Sequence, residues 1–439
     1  MEKIIITEMS SDFSGVGYTP SGKKLNFNYV YKGDEINCEL VKRRPKQRSF
    51  KIIETIRNHS WDSVQCEHYG RCGGCVGQHI DYEEQIHLKF DPIIRSFKDD
   101  LGIELETKPS DSIYSYRTRM DFAVFPGPKI GLRERGNFRK IISISDCKIQ
   151  SETANKSLSK VISLLNSIPE IIWDRKSEIG GLKYVTIRKA QNTDDGILIF
   201  TFTEGFESEQ LHQTFVQYCL KLETDLSIVF CYNRKKSEVS SEGRLLLIKG
   251  KPTYSEIVMG KQFEIPFDSF FQPNPNGFLP VLNFIEKHRS KQNQSFVDFF
   301  CGNGFFSLVF GGNYKSNYGY EVTESAVKMA SSLFQSMYPD KEFLFQVTNL
   351  FTSVANLSTP LDSCLILDPP RAGAGILLSE WIRDFGPNEV FYVSCNPYSQ
   401  QEDVKIFIQN YVCKGGLLLD PYPHTPHTES VLYFQRKSN

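Results

Sequence analysis

The sequence predicts an α/β protein in three parts: a small N-terminal β-barrel over residues 1–58, a mixed α/β middle over 59–262, and a doubly wound α/β unit over 263–439. Three observations carry that prediction. Short strand-like runs separated by glycine breaks fill the first 58 residues, closely spaced cysteines open the middle, and strand-length apolar runs alternate with amphipathic stretches thereafter. Alternation of that last kind is how helices come to cover both faces of a mostly parallel sheet.

In the first part the runs are Lys3–Thr7, Lys24–Tyr31, Glu35–Val41 and Ser49–Glu54, with breaks at Ser14–Gly17, Ser21–Gly22 and Lys32–Asp34. Short strands so spaced predict an OB-type barrel, a frequent nucleic-acid surface. Lys42, Arg43, Arg44, Lys46, Arg48 and Lys51 fall around its last two strands with no acid among them, which suits phosphate contact or a solvated edge. In the middle, Met120–Phe125 and Tyr184–Arg188 read as strands. Toward the end, Ser295–Phe300, Ser316–Glu321, Cys364–Asp368 and Glu389–Ser394 read as strands and Glu324–Gln335 as a helix between them.

Composition is that of a soluble globular chain, 40% hydrophobic and 23% charged, and a net charge of −1 excludes an overall basic nucleic-acid binder without excluding a local basic groove. Met1–Glu8 holds only a three-residue apolar run and Gly196–Phe202 is strand length, so neither a signal peptide nor a membrane-spanning helix is expected. The setting is then cytoplasmic and reducing, and the eleven cysteines are thiols or metal ligands rather than a disulfide frame. Monomer is the default expectation.

Cys66, Cys72 and Cys75 are spaced five and then two residues apart, with Gly70, Gly73 and Gly74 allowing the backbone to curl so that thiolates converge. Cys147 is the best-placed fourth ligand. Four thiolates suit tetrahedral zinc or a [4Fe–4S] cluster, and spacing alone leans toward zinc.

Val297–Gly304 is a strand running into a glycine turn, where Gly302 and Gly304 let backbone approach a ligand, and Glu321 ends the next strand. A carboxylate at that second strand tip grips ribose hydroxyls. Ser307 stands where a dinucleotide fingerprint has its third glycine, which favours a nucleoside without pyrophosphate. Farther on, Asp368 and Cys395 end buried-type strands, and strand carboxyl ends are where ligands and chemistry sit in an open α/β sheet. Cys395 is a nucleophile candidate against the plainer alternative of a small buried hydrophobe. The proline-stiffened Asp420–Glu429 could bring Glu429 to the same rim. His424 and His427 are three apart among prolines, so they read as orienting groups rather than a metal pair.

Several further stretches complete a pattern: Cys72–His79 with Tyr82 and Gln85, Tyr116–Phe122 with Gly131–Glu134, Ser269–Asn274, Leu367–Gly373, Ser394–Pro397 and Pro423–Glu429. With these motifs in order over nearly its full length, the chain resembles the S-adenosylmethionine-dependent RNA uracil-5-methyltransferases, specifically the iron–sulfur branch acting on 23S ribosomal RNA. The barrel looks like a TRAM domain, and residues 263–439 look like a Rossmann-like class I methyltransferase domain. The resemblance implies that Cys66, Cys72, Cys75 and Cys147 hold a [4Fe–4S] cluster, overturning the lean toward zinc. It implies that Gln272, Phe300, Glu321, Asn349 and Asp368 line the S-adenosylmethionine pocket, with Cys395 as nucleophile and Glu429 as base. Departures are Phe305 at a position usually smaller or polar, Pro273 in place of an aliphatic, and Glu402-Asp403 in place of an Arg-Asp pair.

The reaction so implied adds a thiolate to carbon 6 of uracil, making carbon 5 nucleophilic, after which a base removes the carbon 5 proton. The uridine must leave its stack to be reached. Phe270 and Phe271 read as packing residues, with cradling of the flipped base as the alternative. Competing readings are a cytosine-5 or amino-methyltransferase and a non-catalytic RNA-binding iron–sulfur protein. Transfer RNA is the alternative substrate, less resembled because that branch is expected to lack the cluster and the barrel.

Overall fold

Three main sheets organise the chain in the computed structural model, which describes residues 2–44, 47–240, 242–267, 269–354, 357 and 359–437. The side chains of 40–51 and 138 lie outside the described set. The basic run Lys42–Lys51 falls on them.

The first sheet orders five antiparallel strands as Lys24–Phe27, Gly15–Tyr18, Glu2–Met9, Glu35–Arg44 and Gln47–Ile56. Its ladder stays open between the first and last of these among the described residues, so the expected closed barrel is a half-barrel. The break expected at Ser14–Gly17 is mostly strand, Gly15–Tyr18. A Cβ on Gly15 would stand 2.6 Å from Val30 Cγ2 and one on Gly17 2.4 Å from Ile4 Cγ2. These glycines allow close packing rather than a turn.

The second sheet runs Arg244–Lys249, Ser227–Asn233, Gly196–Thr203, Leu182–Lys189, Arg119–Phe125, Lys129–Glu134 and Asn137–Ser143. Helices Glu152–Ser167 and Gln210–Lys221 cover one face, burying Leu158, Val161 and Phe215 against Val185, Leu198 and Phe230.

The third sheet has eight strands in the order Glu342–Val347, Ser316–Glu321, Ser295–Phe299, Ser363–Leu367, Glu389–Ser394, Glu429–Arg436, Tyr411–Leu419 and Glu106–Lys108. The first five pair in parallel, while Glu429–Arg436 lies antiparallel between its neighbours. Val297, Leu365 and Val390 are buried, as in a parallel sheet covered on both faces. Chain order reverses direction at Ser295–Phe299, between Ser316–Glu321 and Ser363–Leu367. Ligands bind beyond the strand carboxyl ends at such a switch point.

Residues 82–108 precede most of the middle in sequence but build into this third layer. Glu106–Lys108 pairs with Leu417–Leu419, and Phe90, Ile93 and Phe97 of helix Tyr82–Leu101 join its core. No described helix is long and apolar enough to cross a membrane. None of the eleven cysteines forms a disulfide.

Candidate active site

At the switch point a cavity of about 640 Å³ opens over the strand ends. Gln272, Phe300, Glu321, Asn349, Asp368, Cys395 and Glu429, the seven residues expected at the cofactor and catalytic sites, all line it.

The cofactor side is built from the first two strands. Beyond Phe299, Phe300 takes φ 61°, a left-handed conformation rare for a bulky side chain and held only where the surroundings enforce it. Gly302 follows at φ 51°. Its N–H donates to Glu321 Oε2 at 3.3 Å, and Thr323 N–H donates to Oε1 at 2.9 Å. The Glu321 carboxylate is thereby aimed along the strand tip, with lone pairs left to accept from a diol. Asn349 follows the third strand, with Oδ1 accepting from Phe351 N–H at 3.0 Å. A polar strand-tip carboxylate facing an aromatic and aliphatic wall fits a nucleoside-bearing cofactor. Phe305 belongs to that wall, packed among Phe263, Phe271, Phe278 and Phe306. Of the expected packing pair, Phe271 packs there, whereas Phe270 is 69% exposed at the cavity mouth.

The reactive side comes from the antiparallel pairing of Glu389–Ser394 with Glu429–Arg436. Ser394 pairs with Ser430, so continuing the register by one residue sets Cys395 across from Glu429. Withdrawal from water, then the neighbouring Glu429, pushes the Cys395 thiol up to about 11, with Arg371 opposing. Burial, then Asp368, holds Glu429 well above the ordinary carboxylate range. Asp368 itself is raised to about 7 by desolvation and by Asp298, whose carboxylate accepts from Ser307 N–H (3.0 Å) and Oγ–H (2.7 Å). The site therefore crowds acids and a thiol, an arrangement whose charged forms a cation would favour.

Two loops fix these groups. Asn396 Nδ2 and Ser399 Oγ donate to Arg371 O at 2.9 and 3.1 Å, joining the Asp368–Arg371 turn to the Cys395 loop. Asp403 is buried and accepts from Ala374 N–H (2.6 Å), Gly375 N–H (3.1 Å) and Tyr392 OH (2.5 Å). Of the Glu402-Asp403 departure, only Glu402 faces outward, paired with Lys405. The two histidines separate. His427 lines the cavity and meets Arg371 Nη1 at 3.2 Å, while His424 is buried away from it against Gln85 and Tyr114. Arg371 and Tyr422 also line the cavity, with no role assigned from sequence. Arg371 sits in the Leu367–Gly373 stretch, which could have flagged it.

The other predicted centre is separate. Cys66, Cys72, Cys75 and Cys147 line one cavity of about 270 Å³ beside strand Lys129–Glu134. Gly73 N–H donates to Arg133 O at 3.0 Å, and Asn155 clamps Cys147 through Oδ1 from Cys147 N–H (3.0 Å) and Nδ2 to Cys147 O (3.1 Å). Burial and the other cysteines push the Cys75 and Cys147 thiols up to about 12. Among the described residues no group of three or more His, Cys, Asp or Glu side chains is placed to hold a single metal ion. Tetrahedral zinc draws its sulfurs in at about 2.3 Å; four thiols around one cavity are also the donor set of a [4Fe–4S] cluster.

A cavity over the strand ends of such a sheet fits the fold of a class I S-adenosylmethionine-dependent methyltransferase. The family model for tRNA (uracil-5-)-methyltransferase matches residues 354–437. An uncharacterized RNA methyltransferase of Leptospira interrogans is 37% identical over 98% of this chain and 96% of its own length. The tRNA (uracil(54)-C(5))-methyltransferase of Pyrococcus furiosus is 28% identical over 97% of this chain and 98% of its own. The crystal structure of the Pyrococcus abyssi tRNA (uracil-54, C5)-methyltransferase, in complex with S-adenosyl-L-homocysteine, is 26% identical with a TM-score of 0.77, covering 98% of this chain and 100% of that one. The chain belongs to the RNA (uracil-5-)-methyltransferase family. It is an S-adenosylmethionine-dependent enzyme acting on RNA.

That coverage also corrects one expectation. A tRNA enzyme of this family spans the chain from its N-terminal part onward, so the half-barrel does not separate ribosomal from transfer RNA substrates.

Proposed function

We propose that Cys395 and Glu429 carry out uracil-5 methylation by covalent catalysis, on a uridine turned out of its stack into the 640 Å³ cavity. The observation that carries this reading is the register placing a thiol across from a carboxyl at the rim of a cofactor-type pocket. Gln272, Phe300, Glu321, Asn349 and Asp368 would hold S-adenosylmethionine, which supplies an electrophilic methyl group when bound. As thiolate, Cys395 bonds to carbon 6, and the C5=C6 electron pair shifts toward carbon 5 and the carbonyl at carbon 4. Carbon 5 would then bond the methyl group with that pair, the methyl–sulfur pair staying on the cofactor's sulfur, and Glu429, as carboxylate, takes the carbon 5 proton. The C–H pair re-forms C5=C6, and the thiolate leaves with the C6–S pair.

The four cysteines would hold a [4Fe–4S] cluster that staples the Cys66–Cys75 loop to the second sheet; the shared cavity and the motif resemblance support this. For the substrate, transfer RNA is the better supported reading, since full-length relatives are named for uracil 54. Large-subunit ribosomal RNA is the second, supported by the resemblance of Cys72–His79 to that branch.

Nucleoside mass spectrometry tests both. RNA from cells lacking this gene, separated into transfer and ribosomal pools, is incubated with anaerobically purified protein and S-adenosylmethionine. New 5-methyluridine in the transfer pool is expected. Its appearance only in large-subunit RNA would move the substrate, and none in either pool would contradict the reaction.

A further inference from the structure

Helix Tyr82–Leu101 leads out of the cysteine loop, and none of its residues lines the active cavity. Yet three of its side chains, spaced three and four apart and so on one face, bond the loop that ends at Glu429. Tyr82 OH donates to Asp420 Oδ2 at 3.1 Å. Lys89 Nζ donates to Asp420 Oδ1 at 2.8 Å and to the carbonyls of Tyr422 and His427 at 3.4 Å each. Between them, Gln85 Oε1 accepts from His424 N–H at 2.9 Å, while its Nε2 donates to Gly77 O and Ile80 O at 2.9 and 2.8 Å. From the other side, Val76 and Gly77 N–H both donate to His424 O at 2.9 and 3.0 Å.

This is a costly arrangement. The Lys89 and Asp420 side chains are wholly buried, and a buried charge is tolerated only with its partner in place. At the centre of the loop His424 takes φ 63°, a strained conformation that persists because its neighbours hold it. Cys395 stands on a different loop, after strand Glu389–Ser394, and none of these bonds reaches it.

We propose that Gln85 and Lys89 are positioning residues for proton removal: by fixing the 420–429 loop they set where the Glu429 carboxylate stands, without touching substrate. The inference rests on Glu429 being the base. Losing the clamp displaces the base and leaves the nucleophile, so addition to carbon 6 survives while the step after it slows. Misplacing a catalytic group by about an ångström costs on the order of 10²-fold.

The test uses the full-length protein with substrate RNA whose uracils carry hydrogen or deuterium at carbon 5. Glu429→Gln is the control and should accumulate the covalent RNA–protein adduct. Lys89→Met and Gln85→Ala are expected to lower kcat by about 10²-fold, accumulate the same adduct, raise the deuterium isotope effect on kcat, and leave S-adenosylhomocysteine affinity unchanged. If Lys89→Met does not fold, Lys89→Met with Asp420→Asn removes both charges, and Tyr82→Phe removes one hydroxyl; both carry the same expectation, the latter at smaller size. Adduct and turnover falling together with no rise in isotope effect would overturn the inference while the Glu429 control stands. A control without adduct would overturn the reading of Glu429 as well.

Discussion

Two regions of this enzyme withdraw cysteine thiols from water, and they differ in what faces the sulfur. Cys395 is alone at a strand end, across from Glu429 and beside Arg371 and Asp368, in a cavity of about 640 Å³. Cys66, Cys72, Cys75 and Cys147 face one another in a cavity of about 270 Å³. Burial raises the thiols in both, to about 11 for Cys395 and about 12 for Cys75 and Cys147. Desolvation therefore does not separate a nucleophile from a ligand. On the proposed reading the neighbours do: a carboxyl across from Cys395 would serve addition and elimination, and the facing thiols of Cys66, Cys72, Cys75 and Cys147 would serve a shared positive centre. At both, a bound positive charge would favour thiolate over thiol.

Replacing one cysteine from each region has the largest expected effect. Cys395→Ala is expected to lose activity by on the order of 10⁴-fold with Tm and RNA binding kept. Cys75→Ser is expected to lower Tm by on the order of 10 °C, because the proposed centre would bind only the folded state and so stabilise it. Methyl-transfer assays with scanning calorimetry check both. Equal Tm losses, or a stable Cys75→Ser protein, would erase the distinction.

A smaller effect sharpens it. In cofactor-free protein Cys395 is a thiol at neutral pH, and only its thiolate is alkylated. Its iodoacetamide rate, followed by peptide mass spectrometry, is expected to climb about tenfold per pH unit until it levels near the raised value of about 11. Levelling below pH 9 would contradict the burial argument. Adding S-adenosylmethionine is expected to shift the curve to lower pH, since a sulfonium favours the thiolate, whereas neutral S-adenosylhomocysteine is not.

Legibility in the sequence follows the range of the forces. The strands Ser316–Glu321 and Glu389–Ser394 were readable to the residue because parallel strands covered on both faces leave continuous apolar runs. Glu321, Asp368 and Cys395 are readable at strand ends and Glu429 on its proline-stiffened loop, whereas Gln272, Phe300 and Asn349 come only with the resemblance; all seven line one cavity. Glycine marks turns and close packing alike, so the break expected at Ser14–Gly17 turns out to be mostly strand. Nothing local could show that Glu106 pairs with Leu417, or that Lys89 finds Asp420 across the chain. Such partners are chosen by the assembled core, and neither periodicity nor composition records them.

The central claim, that Cys395 bonds to the base, is tested most directly with RNA carrying 5-fluorouridine at the target position. Fluorine in place of the carbon 5 hydrogen leaves Glu429 no proton to remove, so the adduct cannot eliminate. A stable RNA–protein species is expected, dependent on S-adenosylmethionine, whose digested peptide carries the methylated fluorouridine on Cys395. Formation of 5-methyluridine from ordinary RNA with no such adduct, or an adduct that persists in Cys395→Ala, would contradict it.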